Sequence, residues 1–314
     1  MTDAPRIGLA LGGGAARGWA HIGVIRGLEA QGIRPDLIAG TSVGAVVGAM
    51  ACNGHFDDFE TWVRQLTRRD VLAHMDFALG NGGFIQGGRL LERFRETFGL
   101  KTFKDLQTPL GVVATSLYTG QERWLREDDV VTAVRASMAL PGMFTPVHHE
   151  GEWLVDGGLV NPVPVSLCHA MGADFVIAVN LSDGLIGRHF SEHQHPPAVS
   201  DDSDTDDTKS WIERLSTGFK EGFRDGADLL QKQFERGDHE TSPGVFDVIA
   251  SSITIMQDRI TRSRMAGDPP DVLITPQLAH IGLLELHRGA ETIKEGQEAV
   301  ERIEPALEAF KQRL

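Results

Sequence analysis

The residues able to do chemistry in this chain gather at three places in its first half. Gly40-Thr41-Ser42-Val43-Gly44 is a GxSxG between a strand-like and a helix-like stretch. A sharp strand-to-helix turn lifts a serine hydroxyl clear of a sheet, and flanking glycines permit both the turn and the close approach of substrate. The helix behind it lends partial positive charge where an anion would form. Taken alone, the same residues also fit a glycine-rich turn with Ser42 as a helix cap. Gly12-Gly13-Gly14-Ala15-Ala16-Arg17-Gly18 lies one strand earlier and offers backbone N–H groups at a helix start. A tetrahedral oxyanion needs such donors, and losing one costs about 3–4 kcal/mol of barrier. A dinucleotide-phosphate loop is the rival reading. The glycines match no register of GxGxxG, however, and Asp36 precedes the second strand instead of ending it. Asp156-Gly157-Gly158 follows a later strand and supplies the third group. A serine hydroxyl is a weak nucleophile that needs a base within hydrogen-bond reach, a role open to an aspartate at a strand end. By itself it is an ordinary Asp-Gly turn.

The elements that must position these residues alternate strand and helix. Residues 6–11 predict a strand, 19–30 a helix with apolar Ile22, Val24, Ile25 and Leu28, and 37–39 a second strand, with a small-residue helix opening just after Ser42. That order is the grammar of a parallel sheet wound with helices. Further helices are expected at 56–67 and 88–98, a strand at 110–114 with 121–125 as a hairpin-like addition, and a helix at 130–138 stopped by Pro141. Strands follow at 153–155 and 175–180. Residues 184–207 turn polar and acidic without periodicity, the signature of a mobile loop. Beyond it Trp211, Leu215, Phe219, Phe223 and Leu230 recur at helical spacing; a packed helix, a lid, a lipid-facing surface and a dimer interface all fit. A helix at 246–263, a strand at 272–274 and C-terminal helices complete the chain. No internal repeat is visible.

At the three chemical sites the sequence closely resembles the patatin-like phospholipase family, which pairs a glycine-rich loop carrying a basic residue with a GxSxG serine and a DG[AG] aspartate. Arg135-Ala136-Ser137, Pro141, Phe144 and Pro146 are similar to that family's block between serine and aspartate. Asn161-Pro162-Val163-Pro164 is similar to the segment after it, so the likeness runs over residues 7–180. It implies an α/β fold, a three-layer sandwich with a central, mainly parallel sheet and helices on both faces. One domain would span 1–314, with a flexible acidic loop at about 184–208 and an amphipathic helical insertion at about 209–266. Position by position, it implies Ser42 as nucleophile, Asp156 as general base, and an oxyanion hole around Gly13, Gly14 and Ala15 with Arg17 fixing or polarising it. The sequence departs from the family pattern at Ala15, where glycine is usual; alanine keeps the N–H but resists positive φ. The implied activity is hydrolysis of fatty-acyl esters of phospholipid or lysophospholipid, with no cofactor and no metal. A soluble carboxylesterase acting on small esters and a regulatory or binding protein of the same fold stay open.

An α/β-hydrolase triad would add a histidine after the aspartate, nominally His169, His189, His193 or His195. That fold builds several strands before its nucleophile, whereas Ser42 follows only the second. His189, His193 and His195 also invite a metal reading, but their polar setting lacks rigid ligand spacing. Cys52 and Cys168 lie far apart and read as small buried hydrophobes. A formal charge of −14 argues against nucleic-acid binding and against simple adsorption to anionic membranes. Contact with lipid would have to be peripheral and apolar, through Trp211, Leu215, Phe219 and Phe223, and a homo-oligomer is left open. With no signal-like or membrane-spanning stretch visible, a cytoplasmic setting is the expectation.

Overall fold

Strand β1 (Ile7–Leu11) is buried along its whole length, as a strand can be only inside a sheet covered on both faces. The computed structural model describes residues 5–74, 88–182 and 245–314. Among them β2 (Leu37–Thr41) and β7 (Phe175–Val179) pair with β1 in parallel. Strand β3 (Leu110–Ser116) extends the parallel ladder beyond β2, and β8 (Val272–Ile274) extends it beyond β7. Three antiparallel strands complete the sheet: β4 (Glu122–Leu125) and β6 (Glu152–Asp156) on β3, and β5 (Val147–His149) on β6. The order is β5-β6-β3-β2-β1-β7-β8, with β4 off this path.

Alternate side chains of the central strands feed two cores, as the two-residue period of a strand requires. Leu9, Leu11, Ile38, Val112, Ile177 and Val179 join the larger one. Helices α1 (Ala20–Ala30), α2 (Val43–Cys52), α3 (Phe56–Gln65), α5 (Gly88–Phe98) and α9 (Gly289–Glu301) contribute to it. Ala10, Leu37, Ala39, Val113, Val176 and Ala178 face the other core, against α7 (Val165–Ala170). The result is the sandwich expected from the sequence: helices, a mostly parallel sheet, helices.

The remaining elements are α4 (Arg68–His74), α6 (Val130–Ser137), α8 (Val245–Gly267) and α10 (Glu304–Lys311). Sequence periodicity misses α4 and β5, which are too short to show one. It also starts α8 one residue late and ends it early, at 263 instead of Gly267. The acidic loop, the first part of the amphipathic insertion, and with them Trp211, Leu215, Phe219, Phe223 and Leu230, lie outside the described residues. Cys52 and Cys168 are both buried free thiols, and burial pushes both upward, Cys168 to about 12.

Candidate active site

Strand β3 brings the two distant chemical residues together. Its Val113 lies opposite Thr41 of β2, and its next residue, Ala114, lies opposite Asp156 of β6. Ser42 follows Thr41, so parallel pairing on one neighbour and antiparallel pairing on the other deliver both side chains to one end of β3. The hydroxyl of Thr41 locks the meeting point by donating to the Asn161 carbonyl at 2.8 Å.

Ser42 occupies a backbone conformation unusual for any residue but glycine, φ 55° and ψ −123°. Such strain persists only where the surroundings enforce it. Here the Ser42 N–H donates to Ser137 Oγ at 2.8 Å, and the Ser42 carbonyl accepts from the N–H groups of Ala45 and Val46, the opening of α2. The glycines of the motif are steric necessities. A Cβ on Gly40 would sit 2.6 Å from Ala45 Cα, and one on Gly44 would sit 2.2 Å from the Leu11 carbonyl oxygen. The Ser42 hydroxyl makes no capping bond. Instead Oγ donates to Asp156 Oδ2 at 2.7 Å.

Asp156 is 1% exposed and held at every polar atom. Its N–H donates to the Ala139 carbonyl at 3.0 Å, and its own carbonyl accepts from Thr115 Oγ1 at 2.8 Å. Oδ1 accepts from the Gly158 N–H at 2.7 Å, leaving Oδ2 for the serine. Burial raises its pKa to about 6, against the pull of these two hydrogen bonds. The carboxyl is therefore mostly ionised at neutral pH yet close enough to it to accept a proton readily, the condition that favours a general base.

The glycine loop passes directly over the serine: a Cβ on Gly13 would lie 3.5 Å from Ser42 Cβ. Its N–H groups are not equivalent. Gly12 donates to the Val179 carbonyl at 3.1 Å and Gly13 to the Pro162 carbonyl at 3.0 Å. This corrects the expectation for Gly13, whose N–H is already spent on the segment after Asp156; its contribution is close approach. The N–H groups of Gly14 and Ala15 have no partner among the described residues. Ala15 adopts φ 51°, the left-handed conformation that alanine resists, so the departure from glycine is carried as strain. Arg17 is buried, donates from Nε to the Ile281 carbonyl at 2.9 Å, and is lowered to about 10 by burial, with Glu285 opposing. It stays cationic at neutral pH and anchors the loop to the C-terminal part of the chain.

Two supporting residues escape sequence reading. Ser137 lies in a block singled out only by likeness, and its hydrogen bond to the Ser42 N–H has no local signature. His21 lies in α1, fully buried, with Nε2 2.7 Å from the Gly12 carbonyl. Because that partner is an acceptor, Nε2 carries the proton; burial lowers the ring to about 4 and keeps it neutral. Its Nδ1 has no partner among the described residues. His169 does not approach the dyad: Nδ1 faces the Ala173 carbonyl at 3.3 Å and Nε2 lies 3.6 Å from Asp268. His189, His193 and His195 are outside the described residues. Among the described residues no group of three or more His, Cys, Asp or Glu is placed to hold a metal ion.

Comparison with known proteins puts this arrangement in context. The family model described as patatin-like phospholipase matches residues 9–169. An uncharacterized NTE family protein of Mycobacterium tuberculosis is 31% identical over 98% of this chain and 93% of its own length. The neuropathy target esterase sws of Drosophila melanogaster is 32% identical over 56% of this chain and 13% of its own. Among solved structures, VipD from Legionella pneumophila aligns with 95% of this chain and 66% of its own, at 12% identity and a TM-score of 0.45.

Proposed function

Since the chain belongs to the patatin-like phospholipase family, we propose that it is a serine hydrolase of fatty-acyl esters, acting on phospholipid or lysophospholipid through a Ser42–Asp156 dyad. The observation that carries the proposal is the 2.7 Å hydrogen bond from Ser42 Oγ to Asp156 Oδ2, under a glycine loop whose Gly14 and Ala15 N–H groups have no partner among the described residues.

The mechanism follows from those atoms. Asp156 Oδ2 takes the Ser42 proton as Oγ attacks the ester carbonyl. The carbonyl oxygen becomes an oxyanion that the N–H groups of Gly14 and Ala15 are available to meet. Collapse expels the alcohol, which leaves with the proton held by Asp156, and the acyl group stays on Ser42. Water then gives its proton to Asp156 and attacks the acyl-enzyme; fatty acid leaves and Ser42 Oγ recovers its hydrogen. Asp156 serves as base twice and as acid twice, and every proton is returned.

The test compares wild type with Ser42→Ala and Asp156→Asn on a panel of phospholipids, lysophospholipids and short-chain esters. Labelling by a fluorophosphonate should vanish in Ser42→Ala. Asp156→Asn should lose a factor on the order of 10³–10⁴ in kcat. The wild-type rate should fall as pH drops through about 6, where the base takes up a proton. Undiminished turnover by Asp156→Asn would overturn the dyad. Activity confined to short soluble esters would favour the carboxylesterase reading, and no labelling of wild type the binding-protein reading.

A further inference from the structure

Helix α8 meets the site through a polar face. Asp258 and Thr261 are buried, Gln257 and Arg264 are half-buried, and the spacing of Gln257, Thr261 and Arg264 stacks them on one side of the helix. A helix docked only for stability would turn apolar residues inward. Here exposed Val248, Ile249, Ile255 and Met256 face away from the body of the protein while the polar side packs on the turn that follows Asp156.

Arg264 fixes the register of that packing. Its Nε donates to the Val160 carbonyl at 2.7 Å and its Nη2 to Glu122 Oε2 at 2.6 Å. Glu122 Oε1 in turn accepts from Asn161 Nδ2 at 2.7 Å. Two helical turns earlier, Gln257 comes up against Gly158, two residues after Asp156. The point above Gly158 where a Cβ would stand is 2.4 Å from Gln257 Nε2 and 2.9 Å from Asp156 Oδ1. Only a glycine leaves room there, and what fills the room is an amide nitrogen beside the carboxylate of the base.

We propose that Gln257 is a positioning residue for the dyad, its carboxamide N–H steadying the Asp156 carboxylate once Ser42 is acylated. The inference rests on Asp156 being the base. Free enzyme gives that carboxylate two donors, Ser42 Oγ–H and Gly158 N–H. Acylation removes the first, since the ester oxygen has no hydrogen to give, just when the carboxylate must stay ionised to draw a proton from water. An ionised carboxyl can accept several hydrogen bonds, and a small rotation of Gln257 supplies the missing one. The charged groups on the surrounding elements are otherwise engaged: Arg264 with Glu122, Asp258 with Arg262, Arg135 of α6 with Thr145, and Arg17 with Ile281. Gln257 is left as a donor beside the carboxylate; the Thr261 hydroxyl, one turn further along the same face, is also without a partner among the described residues.

The experiment is the pH profile of kcat for p-nitrophenyl butyrate in wild type, Gln257→Leu, Gln257→Glu and Asp156→Asn. A donor beside a carboxylate favours its ionised form, and a second carboxylate opposes it. Gln257→Leu should therefore move the acid limb upward by about half a pH unit, and the near-isosteric Gln257→Glu by about one unit or more. Because acylation is untouched, kcat/KM should change little while kcat and KM fall together, and a burst of nitrophenol in Gln257→Leu should reveal slowed deacylation. Thermal melts identify any variant that has not folded, and the isosteric Glu variant keeps the shape of the native side chain. Acid limbs that coincide with wild type in both variants, while Asp156→Asn is inactive, would overturn this inference and leave the dyad intact. An active Asp156→Asn would instead remove the dyad reading and this inference with it.

Discussion

Asp156 and His21 are both shut away from solvent, and both resist carrying charge there, with opposite consequences for stability in acid. The Asp156 carboxyl titrates near 6 in the folded protein, above its ordinary 3.8. Between those values the native state binds a proton that the unfolded chain does not, so this residue adds stability as pH falls through the window. His21 runs from an ordinary 6.5 down to about 4, so the unfolded chain binds the extra proton and stability is lost over nearly the same range. Each shift corresponds to about 3 kcal/mol, and in wild type the two largely cancel. Replacing Asp156 with Asn removes only the stabilising half. Asp156→Asn should therefore match or exceed wild-type stability at pH 8, yet lose about 3 kcal/mol relative to it between pH 6.5 and 4. Urea titrations at several pH values measure this, and parallel curves for the two proteins would refute it. The meeting of Ser42 and Asp156 was legible in the sequence because each carries a local backbone signature, a turn with glycine beside it at a strand end. His21 and Ser137 were not: His21 reaches back nine residues to the Gly12 carbonyl and Ser137 acts on a backbone N–H 95 residues away, and no neighbouring residue announces either.

Elements with a clear period were legible to within a few residues, and what they touch was less so. Helices α1 and α9 show why. A Cβ on Gly23 would lie 1.8 Å from the Ile293 carbonyl oxygen, and one on Gly296 would lie 2.0 Å from the Ala20 carbonyl oxygen. The two helices approach backbone to backbone, and glycine in a helix reads from sequence merely as a weak former. Because the obstacle is backbone, no rotamer change relieves it. Gly23→Ala should cost more than about 2 kcal/mol by forcing the helices apart. Gly267→Ala, where nothing lies within 4 Å, should stay within about 0.5 kcal/mol of wild type. Chemical denaturation of the pair decides the matter; equal stabilities would mean the helices yield without cost. Helix α8 is the complementary case. Its span was visible in the sequence, but its polar inward face was not, since amphipathic patterns are read by assuming that apolar residues point in.

For the molecule as a whole, the motifs that carry the family resemblance end near residue 180, yet the structure closes through what comes later. Strand β8 extends the parallel ladder, α9 packs against α1, and Trp19 and Arg17 donate to the Leu286 and Ile281 carbonyls. The glycine loop beside Ser42 is thus braced by the C-terminal part of the chain, a long-range dependence that local pattern does not encode. Net charge is the other property that belongs to no single element. At −14 the protein is repelled by an anionic surface, and a helix next to the site exposes Val248, Ile249, Ile255 and Met256, with Arg259 and Arg262 also exposed along it. Raising ionic strength from 0.05 to 0.5 M shortens the screening length from roughly 14 Å to about 4 Å, which weakens that repulsion while leaving apolar contact intact. Initial rates on a phospholipid ester in anionic vesicles should therefore rise several-fold with salt, and rates in zwitterionic vesicles should hardly change. A rate on anionic vesicles that falls with salt would mean that local basic charge, not apolar contact, brings enzyme and lipid together, because only attraction between opposite charges is weakened in that direction.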